Sequence, residues 1–350
     1  MKKGKSKVAW EVVCLPKDEG ELGIRRLDMF NKALMATHIW KLLSKKESLW
    51  AWRKVLQLRL IIRKFVWHKI GDGNHTYNWF DQWCHLSPLA DFISHRDMYR
   101  AGLSSSSKVA DLFASGSLVW PHDLMSKYPT LLDISSPTIS VGILDKLEWK
   151  SWNGMIKPFS ATSVWHSIRP RDVKVDWVDV VWFPSCIPRH AFNLWLVIKK
   201  KLKTQDRLLR WDVNGSLARS CTLCESQPDS HEHLFFECSF SRQVWCHMRK
   251  LVGLSLIQPS LEMILSFIIP MAKRRTSKCV ITKLVIAASV YFIWQERNNR
   301  LFNNDKRTAD QVIECIMSSI RLKLMSCRFK KSNDGGDALK RWNLLESLCS

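Results

Sequence analysis

Cys221, Cys224, His233 and Cys238 stand in the order C-x2-C-x8-H-x4-C. Three thiolates and an imidazole are donors that a zinc ion takes in a tetrahedron. A C-x2-C turn sets two sulfurs on one side of an ion, and the loop 225–231 returns the chain with the other two donors. Four protein donors leave no position for water or substrate, so zinc held this way is structural. Such a site contributes roughly 10–16 kcal/mol of apparent binding free energy, which for a small loop is folding free energy. Three other readings stay open. His231 could replace His233, although the spacing to Cys238 favours His233. Cys221 and Cys224 could be a redox pair, but no thioredoxin-like βαβ pattern surrounds them. The cysteines could also be unrelated.

Between Cys221 and Cys238 lie Glu225, Asp229, Glu232 and Glu237, and no Lys or Arg. The whole chain is the opposite, with 54 Lys and Arg against 32 Asp and Glu, a net charge of +22. A field of that sign selects polyanions, nucleic acid ahead of an anionic membrane. The acidic loop would repel phosphate, so a nucleic-acid surface is expected on its neighbours. Those are Arg189, Lys199, Lys200, Lys201, Lys203, Arg207 and Arg210 before the loop, and Arg242 with Arg249 and Lys250 after it. The 18 Trp could stack on bases, but a buried indole is the commoner use. Residues 1–9 are lysine-rich with no apolar h-region. The 11 Cys are therefore expected in a reducing compartment, nucleus or cytoplasm, not a secreted setting. No catalytic constellation stands out. Gly71-Asp72-Gly73 is not a dinucleotide fingerprint, Asp176 and Asp179 lack a third partner, and Lys273-Arg274-Arg275 reads as a solvated turn. Neither a small-molecule substrate nor a membrane is expected.

The elements that must position these residues read as mainly α, with a small β-hairpin element and a zinc-stabilised CCHC module in the C-terminal half. Met29, Ala33, Ala36, Trp40 and Leu43 share one helix face, and a second basic helix is expected over 49–64. Residues 65–70 and 76–80, either side of Gly71-Asp72-Gly73-Asn74, predict a hairpin. Ser160 caps a helix through Ile168, Pro188 opens another, and Thr204 opens a short one. Asp229 and Glu232 have capping-box spacing. The most apolar runs, 261–272 and 284–294, fall short of the roughly 20 residues of a membrane span and read as buried helices. Thr308 and Gln311 form a capping box for a last helix. Four regions result: 1–87, basic helical with the hairpin; 88–159, an irregular linker; 160–252, the zinc-binding domain; and 253–350, helical.

These residues carry a resemblance. Val181-Trp182, Pro188, Phe192, Trp195, Leu202, Thr204, Arg207 and Leu208, followed by Cys221, Cys224, His233-Leu234-Phe235 and Cys238, resemble the zinc-binding region at the C-terminus of plant LINE-type (non-LTR) retrotransposon reverse transcriptases. Residues 7–42, the stretch 71–83 with Trp79, Asp81 and Trp83, and residues 290–302 are similar to flanking parts of those proteins. Glu21 departs from the family, which tends to have Gly there, and the stretch 50–60 looks shortened. The Tyr-x-Asp-Asp motif whose carboxylates hold polymerase metals is not found, nor are endonuclease or ribonuclease H motifs. The chain thus looks like the tail of a longer polyprotein or a degraded copy. The resemblance implies a non-catalytic, retroelement-derived protein with one structural Zn²⁺, associated with RNA or DNA and partnered by a full-length retroelement polymerase. The alternatives are a zinc-stabilised protein-interaction scaffold without nucleic-acid affinity and a pseudogene product without selected function.

Overall fold

Two small residues on one face of the first long helix let a second helix approach it closely. These are Ala33 and Ala36, both fully buried on α1 (Leu27–Lys45). The computed structural model describes residues 8–45, 58, 60–114, 116–140, 142–208, 220–329 and 342. Most of the basic helix expected over 49–64 lies outside the described residues. The chain divides into two units, 25–171 and a second formed by 1–24 with 172–350.

In the 25–171 unit, α1 is followed by β1 (Val66–Lys69), α2 (His95–Arg100), β2 (Phe113–Ala114), β3 (Ser117–Leu118), α3 (His122–Lys127), β4 (Lys146–Lys150), β5 (Ile156–Lys157) and α4 (Ala161–Ile168). Helix α4 packs on α1, with Ser160 accepting from the Ser163 amide as its cap. Trp40 stacks on Phe159 at 4.3 Å between ring centres.

The hairpin expected across residues 71–74 does not form. Strand β1 pairs antiparallel with β4 instead, Val66 opposite Trp149, and β5 adds to β4 as the third strand. The cause is Asp145, whose carboxylate accepts from the amides of Gly71 (2.7 Å), Gly73 (3.0 Å) and His75 (3.1 Å) and from the Thr76 hydroxyl (2.8 Å). The loop therefore wraps around a distant side chain rather than turning back on its own strand. Gly71 is required there, because a Cβ would fall on the carbonyl oxygens of Ile143 and Leu144.

Residues 88–159 are also more than a linker. With Trp79 and Trp83 they build a core that includes Leu89, Met98, Leu112 and Leu131. Its elements are mostly single turns, too short to carry a periodic signal. Trp79 donates its indole N–H to the Ser104 carbonyl and Trp83 to that of Asn78, both at 2.9 Å. These tryptophans are core anchors.

The other unit contains α5 (Val178–Val181), α6 (Pro188–Ile198), α7 (Gln205–Leu208), α8 (Ser239–Val252), α9 (Leu261–Ile268), α10 (Ser277–Phe302) and α11 (Ala309–Met325). Helix α10 is its axis and packs against α6, α8 and α11. By length and composition α10 could cross a membrane, yet 78% of its most apolar stretch is buried inside the chain. Pro188 opens α6 as expected, and the Thr308–Gln311 capping box opens α11. Glu21, the departure from Gly, is fully buried with the Lys199 ammonium 2.6 Å from its carboxylate. The expected class, mainly α with a small antiparallel sheet, is the class observed.

Candidate metal centre

Cys221 and Cys224 sit on a tight knuckle. The Cys221 amide donates to the Gln227 carbonyl (2.6 Å) and the Glu225 amide to the Cys221 carbonyl (2.7 Å). A Ser220–Pro228 bridge closes the loop. His233 and Cys238 come from the segment leading into α8. Five residues along an α-helix rotate through about 500°, which leaves two side chains about 140° apart. Here His233–Glu237 forms a π-helical turn, closed by a Cys238 amide to His233 carbonyl bond of 2.7 Å. This i→i+5 turn brings both donors to one side. Carbonyls in the widened turn find other donors: the Ser241 hydroxyl bonds Leu234 and the Trp245 indole bonds Phe235.

The donor atoms of Cys221, Cys224, His233 and Cys238 all lie within 4.8 Å of one another. Cys221 Sγ is 4.0 Å from Cys238 Sγ, and Cys224 Sγ is 3.2 Å from His233 Nε2. Bonds of about 2.3 Å to sulfur in a tetrahedron put two sulfurs about 3.8 Å apart, so the donor set fits zinc. His231 is turned away, its Nε2 3.1 Å from the Leu202 carbonyl, and burial lowers its pKa. The hydrogen bond from the Cys221 thiol is the main cause that lowers the pKa of Cys238, and that bond, with burial, raises that of Cys221.

The knuckle is held down by α10. Arg297 Nη2 is 2.8 Å from Asp229 Oδ2, both side chains fully buried. Arg300 donates to the Leu223 carbonyl at 3.0 Å, and Lys306, in the turn after α10, pairs with Glu225 at 2.8 Å. Asp229 does not cap its own helix. Its carboxylate accepts from the Gln205 amide (3.0 Å) at the start of α7, and Ser230 takes the His233 amide instead. The sequence reading missed Asp229, Arg297 and Arg300 as supports. The signal was present in the i, i+3 spacing of the two arginines on one helix face.

The basic residues expected to contact nucleic acid do not present one uniform surface. Lys199 is paired with Glu21 and Lys200 with Glu232 (2.6 Å each). Arg207 donates to the Lys200 carbonyl, and Arg189 lies over the Tyr291 ring. Lys201 and Lys203 are exposed, and Arg210 lies outside the described residues. Arg242 lines a cleft of about 590 Å³ with Lys200 and Arg249, where Glu232, Glu237 and Glu262 balance them. A second group with metal-ligand chemistry, Asp72, His75 and Asp145, is organised by the loop amides on Asp145. Burial works to raise the pKa of Asp145, but the donors outweigh it and the pKa is lowered.

The fold and the site together define a helical module built over a Cys3His knuckle. Residues 159–245 match the family described as zinc-binding in reverse transcriptase. The chain is 26% identical over 283 residues to a protein of Arabidopsis thaliana named for ribonuclease H, an alignment covering 70% of this chain and 44% of that relative. It is 30% identical over 102 residues to an uncharacterized mitochondrial protein of the same plant, covering 22% of this chain and 66% of the relative. The chain thus spans less than two thirds of either relative's length. No solved structure matches. The chain carries a retrotransposon-derived zinc-binding region of the reverse-transcriptase type.

Proposed function

We propose that this chain is a non-catalytic protein of LINE-type retroelement origin that associates with nucleic acid and holds one structural zinc on Cys221, Cys224, His233 and Cys238. The observation that carries the reading is the closed donor set: three thiolates and one imidazole within 4.8 Å, enough to fill a tetrahedral zinc. When bound, the ion cross-links the knuckle to the segment entering α8. Its place is then to fix the orientation of the basic elements on either side, with no open coordination position for chemistry. Thiolate ligands fit a reducing compartment, nucleus or cytoplasm. The net charge of +22 supports a polyanionic partner, and phosphate contacts make binding fall with salt, at a log–log slope of about −0.7 per contact on single strands.

Two measurements test this. Metal analysis of the purified chain is expected to give one zinc, lost in Cys224→Ala and retained in His231→Ala. A metal-free folded protein contradicts the zinc assignment. Retention on single-stranded nucleic acid at physiological salt tests the partner. Free passage through such a column favours the protein-interaction reading instead.

A further inference from the structure

The 172–350 unit holds a second cleft, of about 620 Å³, that none of the metal donors lines. Its cations are Lys273, Arg274, Arg275, Lys283 and Arg328, against the single carboxylate of Asp179. They converge from segments far apart in sequence: the turn before α10, α10 itself and the stretch after α11. Lys273, Arg274, Arg275 and Arg328 are exposed and make no ion pair among the described residues. Lys199 and Lys200, in contrast, are each neutralised by a glutamate.

The cleft is also built rather than incidental. The side chain of Lys283 is 2% exposed overall and donates to the carbonyls of Ala272 (2.7 Å) and Asp179 (3.2 Å). It thereby ties the 272–275 turn to α5. Trp182 lines the cleft half-buried, while Phe183 and Phe329 are buried beneath it. The Trp182 indole N–H is buried with no hydrogen-bond partner, and the Lys17 ammonium lies 5.2 Å from that ring. Thr276 caps α10 directly after Arg275, so the positive end of a long helix dipole adds to the same field.

We infer that this cleft is a binding site for single-stranded nucleic acid. Lys273, Arg274, Arg275 and Arg328 take backbone phosphates, and the half-buried Trp182 ring lies beside them in the cleft. The Trp182 ring favours unpaired bases, whose faces are free to stack. The inference rests on the nucleic-acid reading above and deepens it, moving the main contact from the lysines after α6 to the turn before α10.

The test uses the full chain and fluorescence anisotropy with a short labelled oligo(dT) strand and a duplex of the same length. Four proteins are compared: wild type, K273Q/R274Q/R275Q, K199Q/K200Q/K201Q and R274K/R275K. Zinc content and circular dichroism report whether each variant is folded. The 273–275 variant is expected to weaken single-strand binding by about tenfold or more and to flatten the salt slope by about 2, at 0.7 for each of three contacts. The 199–201 variant is expected to change it less. R274K/R275K, which keeps the charges, is expected to bind near wild-type strength. Wild-type binding with an unchanged 273–275 variant overturns the cleft while leaving nucleic-acid association standing. A wild type that binds no strand removes both. Duplex bound as tightly as single strand overturns the choice of unpaired bases.

Discussion

Removing either partner of the Asp229–Arg297 pair should loosen the zinc knuckle, and the structure ranks the costs. Both side chains are essentially inaccessible, 0% and 2% exposed, with 2.8 Å between Oδ2 and Nη2. Arg297→Met leaves a buried carboxylate that still accepts from the Gln205 amide. Breaking one side of a buried pair costs about 3–5 kcal/mol. Asp229→Leu leaves a buried guanidinium and also orphans the Gln205 N–H, which adds about 1–3 kcal/mol. The double variant removes both charges and keeps only the orphaned amide, so its cost is about 1–3 kcal/mol. The order of stability is therefore wild type, double variant, Arg297→Met, Asp229→Leu, a strongly non-additive cycle. Native-state hydrogen exchange on peptides covering 221–238 and α10 reads these energies locally, without assuming that the two units unfold together. An Arg297→Met protein within about 1 kcal/mol of wild type, or a double variant as costly as the two singles summed, would refute the reasoning.

Other outcomes follow from the same geometry. His190 is buried against Tyr291 and Phe292 with neither ring nitrogen hydrogen-bonded, and burial, helped by Arg189, pushes its pKa from 6.5 down to about 4. The folded state thus prefers neutral imidazole. Its stability is intact above pH 6.5 and falls as pH drops toward 4, by up to about 3 kcal/mol. His190→Phe should flatten that part of a stability–pH curve measured by urea unfolding, and an unchanged curve would count against the assignment. Asp145→Ala should cost about 2 kcal/mol at neutral pH by orphaning loop donors, read as faster exchange of the amides of Gly71, Gly73 and His75; protection equal to wild type speaks against it. Gly71→Ala should disturb the same loop through collision with backbone oxygens, seen as a lowered melting temperature.

The parts of this protein governed by local chemistry were legible in its sequence. Pro188, Ser160 and the Thr308–Gln311 box mark helix starts because caps act within one turn. The four metal donors were legible because their spacing is short. What the sequence hid depends on partners far along the chain. Asp145 reorganises a loop about seventy residues away, and a turn sequence that favours a hairpin loses to it. The π-helical turn under His233 has no residue signature of its own. Asp229 looked like a local cap until Gln205 and Arg297 were brought beside it. Lys273-Arg274-Arg275 is the exposed turn its sequence suggests; that Arg328 and Lys283 share a cleft with it is set only by folding.

The supports under the knuckle lie beyond the matched stretch, and this bears on how the protein can be cut. A fragment ending at residue 245 retains every metal donor but discards Arg297, Arg300 and Trp294, whose ring stacks near Phe235. Asp229 would keep the Gln205 amide but lose its buried cation, and Phe235 would lose the Trp294 ring. Borders drawn from sequence similarity run through the hydrophobic interior, so a recombinant piece that keeps this interior covered continues through α11.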